Sequence, residues 1–145
     1  TGTVVLAAAN TYTGVTTVAE GTLRLGASDR IADTGALRLT GGTFDSAGYS
    51  ETLGTLDVDG AAVIDFGSGS STVRFADSAG QNWSGTLTLR NWSGRGTDRL
   101  FIGATSGGVG AEQLDQITFP NGRKAIQLAT GEVVPVPQGT LIRFN

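Results

Sequence analysis

The chain has 145 residues, of which 23 are glycine, 20 threonine and 10 serine, with no cysteine, histidine or methionine. Lacking thiols and imidazoles, it can form no disulfide, no ordinary zinc or haem site, and no Ser-His-Asp or Cys-His catalytic group. Thirteen acids against ten bases leave a net charge of −3 with no basic cluster, so nucleic acid is not an expected partner. No apolar run approaches the ~20 residues that a helix needs to cross a bilayer. The length fits one domain.

The first expected strand is Thr3-Val4-Val5-Leu6. Thr16–Val18 and Thr22–Leu25 follow, parted by the turn Ala19-Glu20-Gly21. From there a short phrase recurs: glycine, small residue, apolar, any, apolar. It reads Gly21-Thr22-Leu23-Arg24-Leu25, then Gly35-Ala36-Leu37-Arg38-Leu39, then Gly42-Thr43-Phe44. It returns as Gly54-Thr55-Leu56-Asp57-Val58 and Gly85-Thr86-Leu87-Thr88-Leu89, with Ser71-Thr72-Val73-Arg74-Phe75 as a variant. Gly139-Thr140-Leu141-Ile142-Arg143-Phe144 repeats it at the end. Period-two alternation puts both apolar side chains on one face of a strand. The leading glycine reads as a turn residue at positive φ. Gly103–Gly110 reads as a flexible corner, and Ala111–Ile117 as a helix of one or two turns.

The expected fold is therefore all-β. Two hairpin signals, Asp59-Gly60 and Asn121-Gly122, speak for a sandwich as the alternative. Similar strands at short, repeated spacing fit a parallel solenoid better, a β-helix of four to six coils. Each coil would hold roughly 20 residues in three short strands, with Leu23, Leu37, Leu56, Val73 and Leu87 in inward ladders. Steps of 14 residues (Leu23 to Leu37), 7 (Leu37 to Phe44) and 12 (Phe44 to Leu56) imply corner loops of varying length. One domain spans 1–145, with repeat coils over 1–82 and a C-terminal coil and cap over 83–145.

The segment Leu6-Ala7-Ala8-Ala9-Asn10-Thr11-Tyr12-Thr13-Gly14-Val15-Thr16-Thr17-Val18-Ala19-Glu20-Gly21-Thr22-Leu23-Arg24-Leu25-Gly26 resembles one autotransporter-associated β-strand repeat. The resemblance implies a right-handed β-helical passenger segment, secreted to the bacterial cell surface. Within it, Asn10 is expected to bond its own backbone and shape a corner. Trp83–Gly94, Gly96–Gly103, Glu112–Phe119 and Gly131–Pro135 are similar in order to the last part of surface proteins that carry a Pro-Glu-Pro sorting tail. Neither resemblance brings catalytic residues with it.

Asp57, Asp59 and Asp65 are the candidate acid/base or calcium-binding carboxylates, read here as solvated strand residues with Asp59-Gly60 a turn. Trp83 and Trp92, with Tyr12 and Tyr49, are the candidate sugar platform. The two tryptophans read instead as a cap with Leu114 and Ile117. Arg24, Arg38 and Arg74 occupy the middle of successive phrases and would point outward as a column. No cofactor or metal is expected.

A solenoid's terminal coils expose backbone groups and open interior. Thr3, Val4, Val5 and Leu6 are candidate assembly strand residues at one end, and Leu141, Ile142 and Phe144 at the other. The expected function is a non-catalytic extracellular structural protein, a homo-oligomeric bacterial surface filament assembled head to tail by strand pairing. A monomeric adhesin or stalk module of a larger passenger is the alternative. A carbohydrate-binding or carbohydrate-active β-helix, in contact with surface glycan, is the second.

Overall fold

Strands that are apolar on one face must bury it against something, and three- to five-residue strands cannot do so alone. The computed structural model, which describes residues 2–94 and 96–137, meets this need by coiling the chain on itself as a parallel β-solenoid of about four turns. The first face holds β1 (Thr3–Leu6), β3 (Thr22–Leu25), β5 (Thr43–Asp45), β8 (Ala61–Asp65), β10 (Thr86–Arg90) and β12 (Ile117–Phe119). The second holds β2 (Thr16–Val18), β4 (Leu37–Leu39) and β7 (Leu56–Val58); the third holds β6 (Glu51–Thr52), β9 (Thr72–Phe75) and β11 (Arg99–Ile102). Neighbours within each of these faces run parallel, which excludes the sandwich.

Register stacks the inward residues into columns. On the first face Val4 lies on Leu23, Leu23 on Phe44, Phe44 on Ile64 and Ile64 on Leu89. The second face stacks Val18, Leu39 and Val58, and the third stacks Val73 and Leu100. Leu23, Leu37, Leu56, Val73 and Leu87 all point inward but divide among the three faces, since the phrase recurs at each face rather than once per turn. The uneven spacing has the same cause. A 14-residue step from first face to second and a 7-residue step back complete the 21-residue turn that separates Leu23 from Phe44.

In the phrases that open first-face strands, led by Gly21, Gly42 and Gly85, the glycine sits where the second face turns into the first. There the amide of Thr22 donates to Gly2 O, Thr43 to Gly21 O and Thr86 to Gly60 O, at 2.9, 2.9 and 3.0 Å. A Cβ on Gly21, which does have φ 72°, would stand 2.5 Å from Gly2 O. Gly85 has no positive φ, yet its Cβ would fall on the Gly60 backbone. The expectation of a positive φ holds for Gly21 but not for Gly85. The shared requirement is close approach of one rung's backbone to the next.

Outward residues also pair from rung to rung. Arg24 Nε donates to Asp45 Oδ2 at 2.8 Å and Arg90 Nε to Asp65 Oδ2 at 2.9 Å, each across adjacent rungs of the first face. The other carboxylate oxygen turns the corner: Asp45 Oδ1 accepts from Ala47 N, and Asp65 Oδ1 from Gly67 N, both at 2.8 Å. Asn10 behaves similarly, its amide donating to Ala8 O at 3.2 Å and to Arg30 O one turn on at 3.1 Å.

The last turn changes direction. After β11 come α1 (Ala111–Asp115) and β12, then β13 (Arg123–Gln127) antiparallel to β12 and β14 (Glu132–Pro135) antiparallel to both β13 and β11. Asn121 and Gly122, at φ 67° and 73°, make the β12–β13 turn, so that dipeptide is a hairpin signal while Asp59-Gly60 is only a corner. No helix among the described residues is long and apolar enough to cross a membrane.

Gly85→Ala should lower stability by about 1–3 kcal/mol, because the added methyl forces two backbones apart. Urea unfolding checks this, with a midpoint shift at unchanged slope expected.

Candidate assembly surface

The inward column of the first face has an exposure gradient. Val4 is 62% exposed and Leu23 9%, whereas Phe44 and Ile64 are fully buried. Val4 occupies a core position, since its register partner is Leu23, but no strand among the described residues lies above it. Among the described residues β1 pairs only with β3, and its other edge is free. The end of the coil opens into a cavity of about 390 Å³ lined by residues that include Val4, Thr16, Val18, Ala19 and Leu23. Val4, Val5, Tyr12 and Val15 are four of the six exposed large hydrophobic residues among those described. The candidate strand Thr3-Val4-Val5-Leu6 is therefore an open edge.

The opposite end is closed. The chain β12-β13-β14-β11 carries the first face over the end onto the third without a break. Of the candidate cap residues, Ile117 is fully buried and Trp83 nearly so, with its indole N–H donating to Leu56 O at 2.9 Å. Trp92 packs edge-on against Phe119 with centroids 5.0 Å apart, and Leu114 packs partly buried on the core.

Three glutamines complete the closure, and sequence reasoning did not single them out. Gln113 Nε2 donates to Ser78 O and Gln81 O, while its Oε1 accepts from Gly110 N. Gln116 Nε2 donates to Trp83 O and Gly85 O, both at 2.8 Å. Gln127 Nε2 donates to Ile102 O and Gly131 O, and its Oε1 accepts from Val109 N. Primary amides suit this task because one group offers both donors and an acceptor to backbone that has lost its ladder. Gln113 within the short helix and Gln116 at its C-terminal cap were the available signal. Leu141, Ile142 and Phe144 lie outside the described residues.

The three candidate carboxylates do not converge. Asp57 and Asp59 belong to the second face and its corner, Asp65 to the first. Arg38 lies between the first two, 3.7 Å from Asp57 Oδ2 and 2.7 Å from Asp59 Oδ2. Burial and the Asp59 carboxylate push Asp57 above the usual range against the pull of Arg38. Asp59 is held below it by Arg38 and by Ser84 against a desolvation cost. Asp65 is not a solvated strand residue. It is 9% exposed beneath Arg90 and Asn91. Burial raises its pKa, but Asn91, the Gly67 amide and Arg90 together outweigh that and lower it.

The candidate arginines do not form a column. Arg24, Arg38 and Arg74 lie on three different faces. Arg24 and Arg38 engage acids, while Arg74 sits 3.9 Å over the ring of Phe101. The sugar-platform reading loses Trp83, whose indole N–H is spent inside the fold.

A lowered folded pKa means that the Asp65 carboxylate stabilises the fold above its unfolded pKa, and that this contribution is lost as pH falls through the folded value. Asp65→Asn should therefore cost about 1 kcal/mol at neutral pH, with the gap from wild type closing in acid. Thermal unfolding across a pH series measures both parts.

Residues 1–25 match the family model of the Passenger-associated-transport-repeat, the stretch that supplies the open first turn and the strand beneath it. No curated protein and no solved structure matches the chain.

Proposed function

We propose that this chain is a non-catalytic, secreted solenoid segment of the bacterial cell surface, a stalk or adhesive module whose open first turn receives a further parallel turn. The observation that carries this reading is Val4, a core-column residue left 62% exposed. Burying it and its neighbours releases apolar surface from water and supplies partners for the free edge of β1. The repeat matched at residues 1–25 is passenger material, which supports an extracellular place for the segment. Asp45, Asp59 and Asp65 each lie beside an arginine and hold rungs together, a structural use of carboxylates rather than a catalytic one.

A head-to-tail filament is the second reading, and the free edge of β1 favours it, since such an edge accepts a strand by β-augmentation. The other end offers no open strand edge on its first and third faces among the described residues. On those two faces the filament would take its donor from the phrase that holds Leu141, Ile142 and Phe144.

Placing a copy of residues 2–20 ahead of Gly2 adds one turn, because Val4 and Leu23 are 19 residues apart in register. The denaturation midpoint and the slope should both rise while the chain stays monomeric. An unchanged midpoint contradicts the open-turn reading. Sedimentation velocity of the unaltered chain should show one species through the micromolar range, and concentration-dependent growth into fibres would establish the filament instead. Release of product in a polysaccharide-degradation screen would overturn the non-catalytic reading.

A further inference from the structure

Glu51 begins β6 on the third face, where its register partner is Val73. Val73 is in turn aligned with Leu100, and Leu100 with Val133. Those three are aliphatic and fully buried, and Glu51 is as deep, at 1% exposed. A carboxylate at a core-column position is costly unless both oxygens find partners. Oε2 accepts from the amides of Arg30 and Ile31, at 2.7 and 3.2 Å. Oε1 is buried and has no hydrogen-bond partner.

Two further carboxylates stand beside it. One oxygen each from Asp29, Asp33 and Glu51 all lie within 4.8 Å of one another, with Asp29 and Asp33 at the surface and Glu51 beneath. Since the backbone amides hold Oε2, Oε1 is the oxygen left for this group. Burial pushes the pKa of Glu51 up against the pull of the Arg30 and Ile31 amides, and the negative charge of Asp29 adds to the rise.

The contrast with the other buried acids is informative. Asp45, Asp65 and Glu132 each pair with an arginine, and Asp98 accepts from Ser71 N, Ser93 N and Ser93 Oγ. Among the described residues no arginine or lysine pairs with Asp29, Asp33 or Glu51. Arg30, the basic residue next to Asp29, turns its guanidinium to Ser28 O and Ala7 O instead.

We infer that Asp29, Asp33 and Glu51 bind a divalent cation of the size of calcium, with Glu51 Oε1 as the buried ligand and the exposed aspartates closing over it. The donors are all carboxylate oxygens, the set that hard cations take. Ligand distances of about 2.3–2.6 Å span oxygens up to ~5 Å apart, and water fills the remaining positions of a flexible calcium shell. Magnesium, which needs a tighter octahedron and gives up water reluctantly, fits this spread set less well. The ion joins two turns, since Asp29 and Asp33 lie between β3 and β4 while Glu51 lies one turn on. That is the part of the third face where the earlier turn forms no regular strand and β6 ends the sheet.

The test is thermal unfolding of the full chain in chelator, in calcium and in magnesium, with equilibrium dialysis to count bound calcium. For a site of the affinity common in extracellular modules, calcium at about 10 mM should raise Tm by roughly 4–10 °C, and magnesium by much less. Dialysis should find one calcium per chain. The double variant Asp29→Asn/Asp33→Asn, which changes only exposed groups, should lose the calcium shift while its Tm in chelator equals or exceeds that of wild type. No calcium bound by the wild-type chain, or a shift that survives in the double variant, overturns the site. Should the double variant fail to fold, Asp33→Asn alone must weaken calcium binding at least tenfold by the same dialysis, and unchanged binding would overturn the site.

Discussion

Rung-on-rung contact is the interaction on which the rest of the molecule depends. No single turn has an inside of its own, and the apolar core exists only because Leu23, Phe44, Ile64 and Leu89 lie over one another in register. Each turn is therefore stabilised by its neighbours, and a turn with a neighbour on one side is half finished. Complete burial of Phe44 and Ile64 beside the 62% exposure of Val4 expresses this directly. The same contact sets the corner chemistry, because backbones one rung apart leave no room for a Cβ on Gly85.

Polar groups follow the same axis. Arg24 with Asp45 and Arg90 with Asp65 pair across rungs, not along a strand, so they resist separation of turns. The closed end needed a different device, since its backbone has no further rung to bond. Gln113, Gln116 and Gln127 fill that need with amide groups that donate and accept at once. The two ends thus differ in kind, one finished with side-chain amides and antiparallel strands, the other bare.

Much of this was legible in the sequence. The alternation within each phrase identified the strands, and the expected bounds of Thr3–Leu6, Thr16–Val18 and Thr22–Leu25 are those observed. The drift in spacing read as corner loops of varying length, and which face each phrase belongs to was not legible, because pattern alone does not say which face a strand joins. For that reason Arg24, Arg38 and Arg74 read as one column when they lie on three faces. The burial of Asp65 was missed because alternation marks it as outward, while its cover comes from Arg90 and Asn91 one turn later. Glu51 was invisible for a different reason: two residues of strand carry no period, and only the register with Val73 shows it to be a core position.

Native-state hydrogen exchange resolved by residue tests the central claim most directly. Protection should climb from β1 and β2 at the bare end to a maximum in β8 and β10, which have rungs on both sides. Equal protection across all rungs, or greatest protection in β1, would contradict a stack whose turns depend on their neighbours and whose first turn stands open.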